Sequence, residues 1–243
     1  MQQFKVLIIG SGFGGLSAAI ELRKIGIEDF RILERRSFMG GTWCQNTYPG
    51  AQVDVQSPLY SLSRELYDWS QIFAEQHELK AYTEFIIEKH GLREKTEMEA
   101  NVIDVRWEEE GKQWVVQTGD KGEFRGQFLI NASGPLSTPV IPDFEGRESF
   151  QGAQFHTNNW DHSFDYKGKR VAVIGSGASG AQVIPAIAAD VKELHVFQRT
   201  PHWVMPRPDY RFNKLERWLL RNKYLHRLLR IIIYWVLESR VIA

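Results

Sequence analysis

The residues best suited to hold a charged ligand lie in a glycine-rich segment near the start of the chain. Gly10, Gly12 and Gly15 have the spacing GxGxxG, between the apolar run VLII and a stretch whose apolar residues recur at helical spacing. The first glycine permits a tight turn, the second lets the backbone approach a pyrophosphate, and the third lets a helix pack closely on the strand. Glu34, at the end of the next apolar run, could accept hydrogen bonds from a ribose diol. The pattern predicts a dinucleotide site; a purely structural glycine turn is the alternative.

A second glycine-rich segment, IGSGASG, repeats the device after the apolar run VAVI. Its candidate cofactor-binding residues are Gly175, Ser176, Gly177, Ser179 and Gly180. Counted from the third glycine, the place of Glu34 falls here at Gln198 or Arg199, and Thr200 follows. A guanidinium attracts the 2′-phosphate that a carboxylate would repel, and can bond it through two N–H groups. The second site is therefore predicted to hold NADP(H), and the first FAD; a solvated surface charge is the alternative for Arg199.

The segment that follows Glu34 is loop-like and rich in glycine, proline and aromatic residues. It contains the stretches GGTW and NTYPGAQVD. A long ordered loop with aromatic side chains suits a large flat ring system such as an isoalloxazine. A surface loop with hydrophobic anchors is the alternative.

The order of the predicted elements indicates an α/β fold with two doubly wound, Rossmann-like dinucleotide-binding domains, the second of them incomplete. Residues 75–90 have helical periodicity, and three short strands are predicted between Asn101 and Gly134. We expect a FAD-binding domain over 1–149, a linker over 150–162, and an incomplete NADP-binding domain over 163–243 that ends in a basic amphipathic helix.

Composition limits the classes of function. The formal net charge is zero, so nothing favours nucleic acid as a partner. The single cysteine, Cys44, cannot form a redox dithiol or a cysteine zinc cluster within this chain, and no metal site is predicted. The first ten residues favour a buried strand rather than a signal peptide, which makes the cytoplasm the expected compartment.

The stretch between the two glycine-rich segments carries a recognisable spacing. It fits F-x-G-x-x-x-H-x-x-x-W-[PD] at Phe150, Gly152, His156, Trp160 and Asp161. This pattern resembles the fingerprint of the type I Baeyer–Villiger monooxygenases. Related flavin-containing N- and S-oxygenating enzymes have a similar pattern that ends differently, so Trp160-Asp161 favours the Baeyer–Villiger branch. The segments GGTW, NTYPGAQVD, ASGPLSTP, IGSGASG and FQRTPHWVMPRPD also resemble that family, in the family's order.

The resemblance implies roles for individual residues. Those implied at the flavin site are Thr42, Trp43, Asp54 and Tyr60, and those implied at the NADP phosphate are Arg199 and Thr200. Asp54 and His156 are the candidate catalytic residues, although His156 by itself favours a structural, hinge or positioning role over proton transfer. One departure is visible, since many relatives carry arginine where this chain has Gln52.

The resemblance also implies an activity. In such enzymes NADPH reduces FAD, O2 adds to the flavin as a C4a-peroxide, and the peroxide inserts one oxygen atom beside a ketone carbonyl; a sulfide or amine is the alternative substrate. The family is about twice as long, and its arginine beside the peroxide has no match in this chain. Alternatives are an N- or S-oxygenating enzyme and a cofactor-binding fragment without turnover. A disulfide reductase is disfavoured because Cys44 stands alone.

The end of the chain is basic and amphipathic. Residues 211–230 contain seven lysines and arginines against one acid, and an uncharged run follows over 231–237. A membrane span needs about 20 apolar residues, so this run is too short to cross a bilayer. Peripheral membrane contact through 211–237 is one interpretation, and a helix that packs on the substrate side of the enzyme is the other.

Overall fold

The computed structural model describes residues 2–203 and 207–242, with the backbone alone for the last three. The chain divides into two compact units, one formed by 1–45 and 80–138 and the other by 46–79 and 139–243. The functional division into 1–149, 150–162 and 163–243 stays a prediction.

The first unit is built on a mixed six-stranded sheet. Its strands are β1 (Gln2–Ile9), β2 (Phe30–Leu33), β3 (Thr96–Glu97), β4 (Val102–Glu108), β5 (Gln113–Thr118) and β6 (Glu123–Asn131). The strand order is β3-β2-β1-β6-β5-β4. β1 pairs in parallel with both β2 and β6, and β2 with β3, whereas β5 is antiparallel to both neighbours. The parallel half therefore brings the carboxyl ends of β1 and β2 to one edge, where the first glycine turn begins.

Apolar spacing explains the elements of this unit. α1 (Phe13–Lys24) buries Leu16, Ala19 and Ile20 at helical intervals. A core cluster on the sheet contains Leu7, Leu33, Ala100, Val116 and Phe124, each at most 1% exposed. Burial of one such large side chain stabilises the fold by about 1.5–3 kcal/mol. The helix predicted over 75–90 is α3 (Gln76–Lys89); the four-residue α2 (Thr42–Gln45) and the two-residue β3 were not predicted.

The second unit contains the strands β7 (Arg170–Ile174) and β8 (Glu193–Phe197), which are parallel. α4 (Ala178–Ile187) connects them, and its Val183 and Ile187 are buried against Tyr48 and Ala51. Strand, glycine turn, helix and parallel strand therefore follow one another as in the first unit. The predicted α/β fold with Rossmann-like architecture is confirmed.

The basic tail forms two helices where the sequence predicted one. They are α5 (Lys214–Leu220) and α6 (Lys223–Ile242). Asn213 and Glu216 make a reciprocal capping box at the start of α5. Asn222 then accepts the backbone N–H of Tyr224 at 2.9 Å, so its side chain starts a second helix instead of continuing the first. None of the helices in the described part of the chain is long and apolar enough to cross a membrane.

Candidate functional site: two glycine cradles

The first glycine turn is constrained by the protein's own packing at two of its glycines. Gly10 has φ +95°, and a Cβ on it would lie 2.6 Å from the carbonyl oxygen of Ala132. A Cβ on Gly15 would lie 1.9 Å from the carbonyl oxygen of Gly10. Gly12 is different, because its nearest neighbour would be the Cα of Gly41 at an ordinary 3.6 Å. Contacts within the unit therefore explain why Gly10 and Gly15 must lack a side chain. No such contact explains Gly12, and the absence of a side chain there leaves room for a ligand.

The N-terminus of α1 has the chemistry that a pyrophosphate requires. Gly12 is the N-cap residue, it offers no side-chain cap, and the first turn contains no acidic residue. The first N–H groups of a helix lack intrahelical partners and carry partial positive charge. The residues present therefore fit a dinucleotide phosphate at this helix end.

Glu34 stands directly after β2 and is 6% exposed. One carboxylate oxygen accepts the backbone N–H of Ser11 at 3.0 Å and its hydroxyl at 2.6 Å, and the other accepts the backbone N–H of Arg36 at 3.0 Å. A carboxylate offers about four acceptor positions. Three protein donors thus hold Glu34 in one orientation and leave acceptor capacity for a ribose hydroxyl.

The second glycine turn repeats this geometry. A Cβ on Gly180 would lie 2.5 Å from the carbonyl oxygen of Gly175, which has φ +105°. A Cβ on Gly177, the N-cap residue of α4, would meet nothing within 4 Å, and this helix also begins without a side-chain cap or an acid. The arrangement at Ser176 and Ser179 fits the same kind of phosphate site.

Equivalent backbone hydrogen bonds align the two motifs. The N–H of Gly10 donates to the carbonyl of Leu33 at 2.8 Å, and the N–H of Gly175 donates to the carbonyl of Phe197 at 2.8 Å. The residue after Leu33 is Glu34, so its counterpart is Gln198.

Arg199 therefore follows the counterpart of the acid rather than replacing it. Gln198, Arg199 and Thr200 are all exposed. Within 2–203 and 207–242, the Arg199 guanidinium has no hydrogen-bond or ion-pair partner. A neutral amide followed by an unpaired guanidinium and a hydroxyl suits a 2′-phosphate better than a free ribose diol.

The four residues implied at a flavin site fall in both units. Thr42 and Trp43 belong to α2 of the first unit, where Thr42 is exposed and Trp43 is half-buried. Asp54 and Tyr60 belong to the second unit, where Asp54 is exposed and Tyr60 is half-buried. Their joint role stays a prediction.

A loop in the second unit, residues 46–54, is anchored on α4 through contacts that the sequence did not predict. The Tyr48 hydroxyl donates to Oε1 of Gln182 at 2.8 Å, and Nε2 of Gln182 donates to the carbonyl of Gln52 at 2.8 Å. Burial raises the pKa of Tyr48 and the Asp54 carboxylate adds to the rise, whereas a hydrogen bond with Ser179 opposes both. Gln182 is a long polar residue followed by the apolar residues Val183 and Ile184 of α4, which is the one sequence signal that could have marked it.

Several contacts within the fingerprint stretch join its own residues. The Phe150 ring covers Gly152, where a Cβ would lie 2.5 Å from the ring. His156 caps a 3-10 helix (Thr157–Asn159), with its Nδ1 accepting the backbone N–H of Asn158 at 3.0 Å. The Trp160 ring lies edge-to-face on Phe155, with centroids 5.1 Å apart. The observed bond supports the predicted structural role of His156; its catalytic role is untested.

Cys44 lies in α2, and burial raises the pKa of its thiol to about 11, with a further rise from the Glu84 carboxylate. A thiol with so high a pKa stays protonated near neutral pH and is a poor nucleophile. Cys44 is also the only cysteine in the sequence. Dithiol chemistry within this chain is therefore excluded.

Comparisons with known proteins agree with the two glycine cradles, that is, with the glycine turns over residues 10–15 and 175–180 and the helix starts that follow them. Residues 7–226 match the family described as pyridine nucleotide-disulphide oxidoreductase. That match covers most of the chain, and the chain belongs to this family.

Within the family the chain is similar to Baeyer–Villiger monooxygenases, as the fingerprint predicted. It is 43% identical to a Baeyer–Villiger monooxygenase of Pseudomonas aeruginosa, over 98% of this chain and 46% of that protein. The solved structure of the OTEMO complex with FAD and NADP has a TM-score of 0.85 at 34% identity, over 91% of this chain and 43% of its own. An ε-caprolactone-bound cyclohexanone monooxygenase has a TM-score of 0.85 at 31% identity, over 92% of this chain and 45% of its own. The chain thus spans less than half the length of these proteins.

Proposed function

We propose that the whole protein is a FAD- and NADPH-dependent monooxygenase of the Baeyer–Villiger type, and that this chain holds both coenzymes. The observation that carries the proposal is the pair of matched glycine cradles with different chemistry after the second strand. Glu34 follows β2, and Gln198 and Arg199 follow β8. The carboxylate in the first cradle suits a coenzyme with a free ribose diol, and the guanidinium in the second suits a coenzyme with a 2′-phosphate.

Each cradle has residues in defined roles. In the first, the N–H groups at the start of α1 bind the FAD pyrophosphate, and Glu34 accepts from the ribose hydroxyls. Gly12 keeps the approach open because no side chain stands there. Thr42, Trp43, Asp54 and Tyr60 are proposed to line the isoalloxazine, by resemblance to the family.

In the second cradle, the start of α4 binds the pyrophosphate of NADP(H), with Ser176 and Ser179 beside it. Arg199 and Thr200 hold the 2′-phosphate, the guanidinium by charge-assisted hydrogen bonds. The linker 150–162, with His156 as the cap of its short helix, is proposed to join the FAD-binding part (1–149) to the NADP-binding part (163–243).

The proposed reaction balances as ketone, O2, NADPH and H⁺ giving ester or lactone, water and NADP⁺. FAD, when bound, supplies the acceptor for the NADPH hydride and the activation of O2. The residues of this chain bind and orient the two coenzymes; Asp54 is proposed to lie where they meet. The ketone class is supported by the lactone-bound neighbour, and the chain's own Trp160-Asp161 supports the Baeyer–Villiger branch over N- or S-oxygenation.

The decisive experiment titrates the chain with each coenzyme and assays the full-length protein. We expect a yellow FAD complex and tighter binding of NADP⁺ than of NAD⁺. Full-length protein is expected to convert a cyclic ketone to its lactone with one NADPH consumed per product. NADPH oxidation that yields only hydrogen peroxide from the chain alone would identify it as the coenzyme-binding part, and absence of binding for both coenzymes would refute the proposal.

A further inference from the structure

Arg207 ties residues 52–54 to the segment that follows β8. Its Nη1 donates to the carbonyl of Val53 at 3.2 Å, and its Nη2 donates to Oε1 of Gln52. Nη2 also lies 3.4 Å from Oδ2 of Asp209, and the guanidinium carbon lies 4.9 Å from the centroid of the Phe73 ring. The guanidinium thus contacts three oxygen atoms and one aromatic ring, which restrict its orientation.

Gln52 is the centre of this cluster. Its Nε2 donates to the carbonyl of Phe73 at 2.7 Å and to Oδ2 of Asp209 at 3.2 Å. Its backbone carbonyl accepts from Gln182. The side-chain amide of Gln52 is therefore used by the protein, and Asp54, two residues later, is exposed with no hydrogen-bond or ion-pair partner among the described residues.

Two of the side chains that hold this segment, Gln182 and Arg207, follow the second glycine motif in the sequence. Gln182 lies in α4, whose N-terminus is the proposed pyrophosphate site. Arg207 lies eight residues after Arg199, the proposed 2′-phosphate ligand. The segment that carries Asp54 is thus held by α4, which begins at the proposed pyrophosphate site, and by Arg207, in addition to the backbone bond from the N–H of Val53 to the carbonyl of Ala74 at 3.1 Å.

We propose that Arg207 is a positioning residue for NADP(H): it holds residues 52–54 so that Asp54 stands at the nicotinamide end of the coenzyme. This inference rests on the proposed function. Hydride transfer requires the nicotinamide end to meet the flavin, and Asp54 is proposed to border the flavin. Arg207 itself touches the Asp54 segment and not the 2′-phosphate site, so its effect falls on the nicotinamide half.

Calorimetric titration of the 243-residue chain with NADP⁺ and with 2′,5′-ADP tests this. The second probe has the 2′-phosphate but no nicotinamide. Arg207→Gln is expected to weaken NADP⁺ binding by about 5- to 20-fold, within the usual range of coupling between sites, and to leave 2′,5′-ADP binding unchanged. Asp54→Asn is also expected to weaken NADP⁺ binding and not 2′,5′-ADP binding. The double variant should bind NADP⁺ as Asp54→Asn alone does, because the effects of substitutions at residues that act as a unit do not add.

Two further variants keep the result interpretable. Arg221→Gln is the matched control, since Arg221 hydrogen-bonds Asp68 and lies outside the cluster; both affinities should stay at the wild-type value. Arg207→Lys keeps the charge but cannot bridge Val53 and Gln52 through a planar fork, so NADP⁺ binding should weaken and 2′,5′-ADP binding should not. This variant tests the same role if Arg207→Gln does not fold.

The outcomes separate the two proposals. Three outcomes would overturn the positioning role while the proposed function stands. They are an equal fall in the affinities for NADP⁺ and 2′,5′-ADP, additive effects of the Asp54 and Arg207 changes on NADP⁺ affinity, and an unaltered NADP⁺ affinity in both Arg207 variants. A wild-type chain that binds NAD⁺ as well as NADP⁺, or neither, would remove the proposed function first.

Discussion

Ser11 donates two hydrogen bonds to one carboxylate oxygen of Glu34, from its backbone N–H at 3.0 Å and from its hydroxyl at 2.6 Å. Ser11 is fully buried and Glu34 is 6% exposed. The glycine turn and the end of the second strand are therefore joined by charge-assisted bonds before any ligand arrives. A pre-oriented acceptor loses little conformational freedom when a ribose binds.

Glu34→Gln is expected to weaken FAD binding. The change removes the charge that accepts from Ser11 and from the ribose, and hydrogen bonds to charged groups contribute about 1.5–3 kcal/mol each, or roughly 10- to 100-fold in affinity. Fluorescence titration of FAD measures it. Glu28→Gln is the control, because Glu28 is an exposed acid paired with Arg23. Unaltered FAD affinity with lowered stability would show that Glu34 serves the fold alone.

Gly177→Ala and Gly180→Ala are expected to separate binding from folding. A Cβ at Gly177 meets nothing within 4 Å, so stability should change by no more than about 0.5 kcal/mol. NADP⁺ binding should weaken, because the added methyl group would stand at the helix start where the pyrophosphate is proposed to bind. A Cβ at Gly180 would lie 2.5 Å from the Gly175 carbonyl oxygen. We expect that crowding to cost about 1–3 kcal/mol of unfolding free energy.

Denaturant unfolding and NADP⁺ titration of both variants check this pair. A stable Gly177→Ala protein with wild-type NADP⁺ affinity would place the pyrophosphate elsewhere. A Gly180→Ala protein as stable as the wild type would contradict the packing explanation.

Arg199→Gln is expected to reduce the preference for NADP⁺. Loss of the guanidinium removes charge-assisted bonds to the 2′-phosphate, which should weaken NADP⁺ binding by about 10- to 100-fold and leave NAD⁺ binding nearly unchanged. Parallel titrations with NADP⁺ and NAD⁺ measure the ratio of the two affinities. Arg170→Gln, at an exposed position that begins β7, should leave it unaltered. A parallel fall in both affinities would contradict the phosphate role.

Cys44 is expected to alkylate slowly below pH 9 and faster as the pH rises through about 11, because the reactive species is the thiolate and burial raises the pKa to about 11. The folded state holds this proton where the unfolded state has lost it, so stability should fall over the same alkaline range. Glu84→Gln should lower the pKa and speed alkylation, since the Glu84 carboxylate contributes to the rise.

Iodoacetamide labelling followed by mass spectrometry gives the rate at one site, because the chain has one cysteine. The guanidinium-unfolded chain serves as the reference for an unshifted thiol. Labelling of the folded chain at pH 8 as fast as that reference would show that the thiol is not protected.

The sequence by itself determined the features that depend on local spacing. In both turns, glycines spaced two and then three residues apart after an apolar run predicted the turn. Helical periodicity predicted α3 within one residue at each end. The fingerprint Phe150 to Asp161 predicted the family because its residue types and intervals are specific. The break between α5 and α6 was missed, since the cap of Asn222 is a weak local signal among strong helix formers.

Tertiary structure alone decided which residue pairs meet across the chain. Gln198, and not Arg199, became the counterpart of Glu34 only through the backbone bond from Gly175 to Phe197. Gln182 and Arg207 meet the loop at Gln52 across 130 and 155 residues of sequence. The sequence around Gln182 and Arg207 does not say which residues they meet, because side-chain hydrogen bonds depend on where the packed elements place their atoms and not on the spacing of residue types.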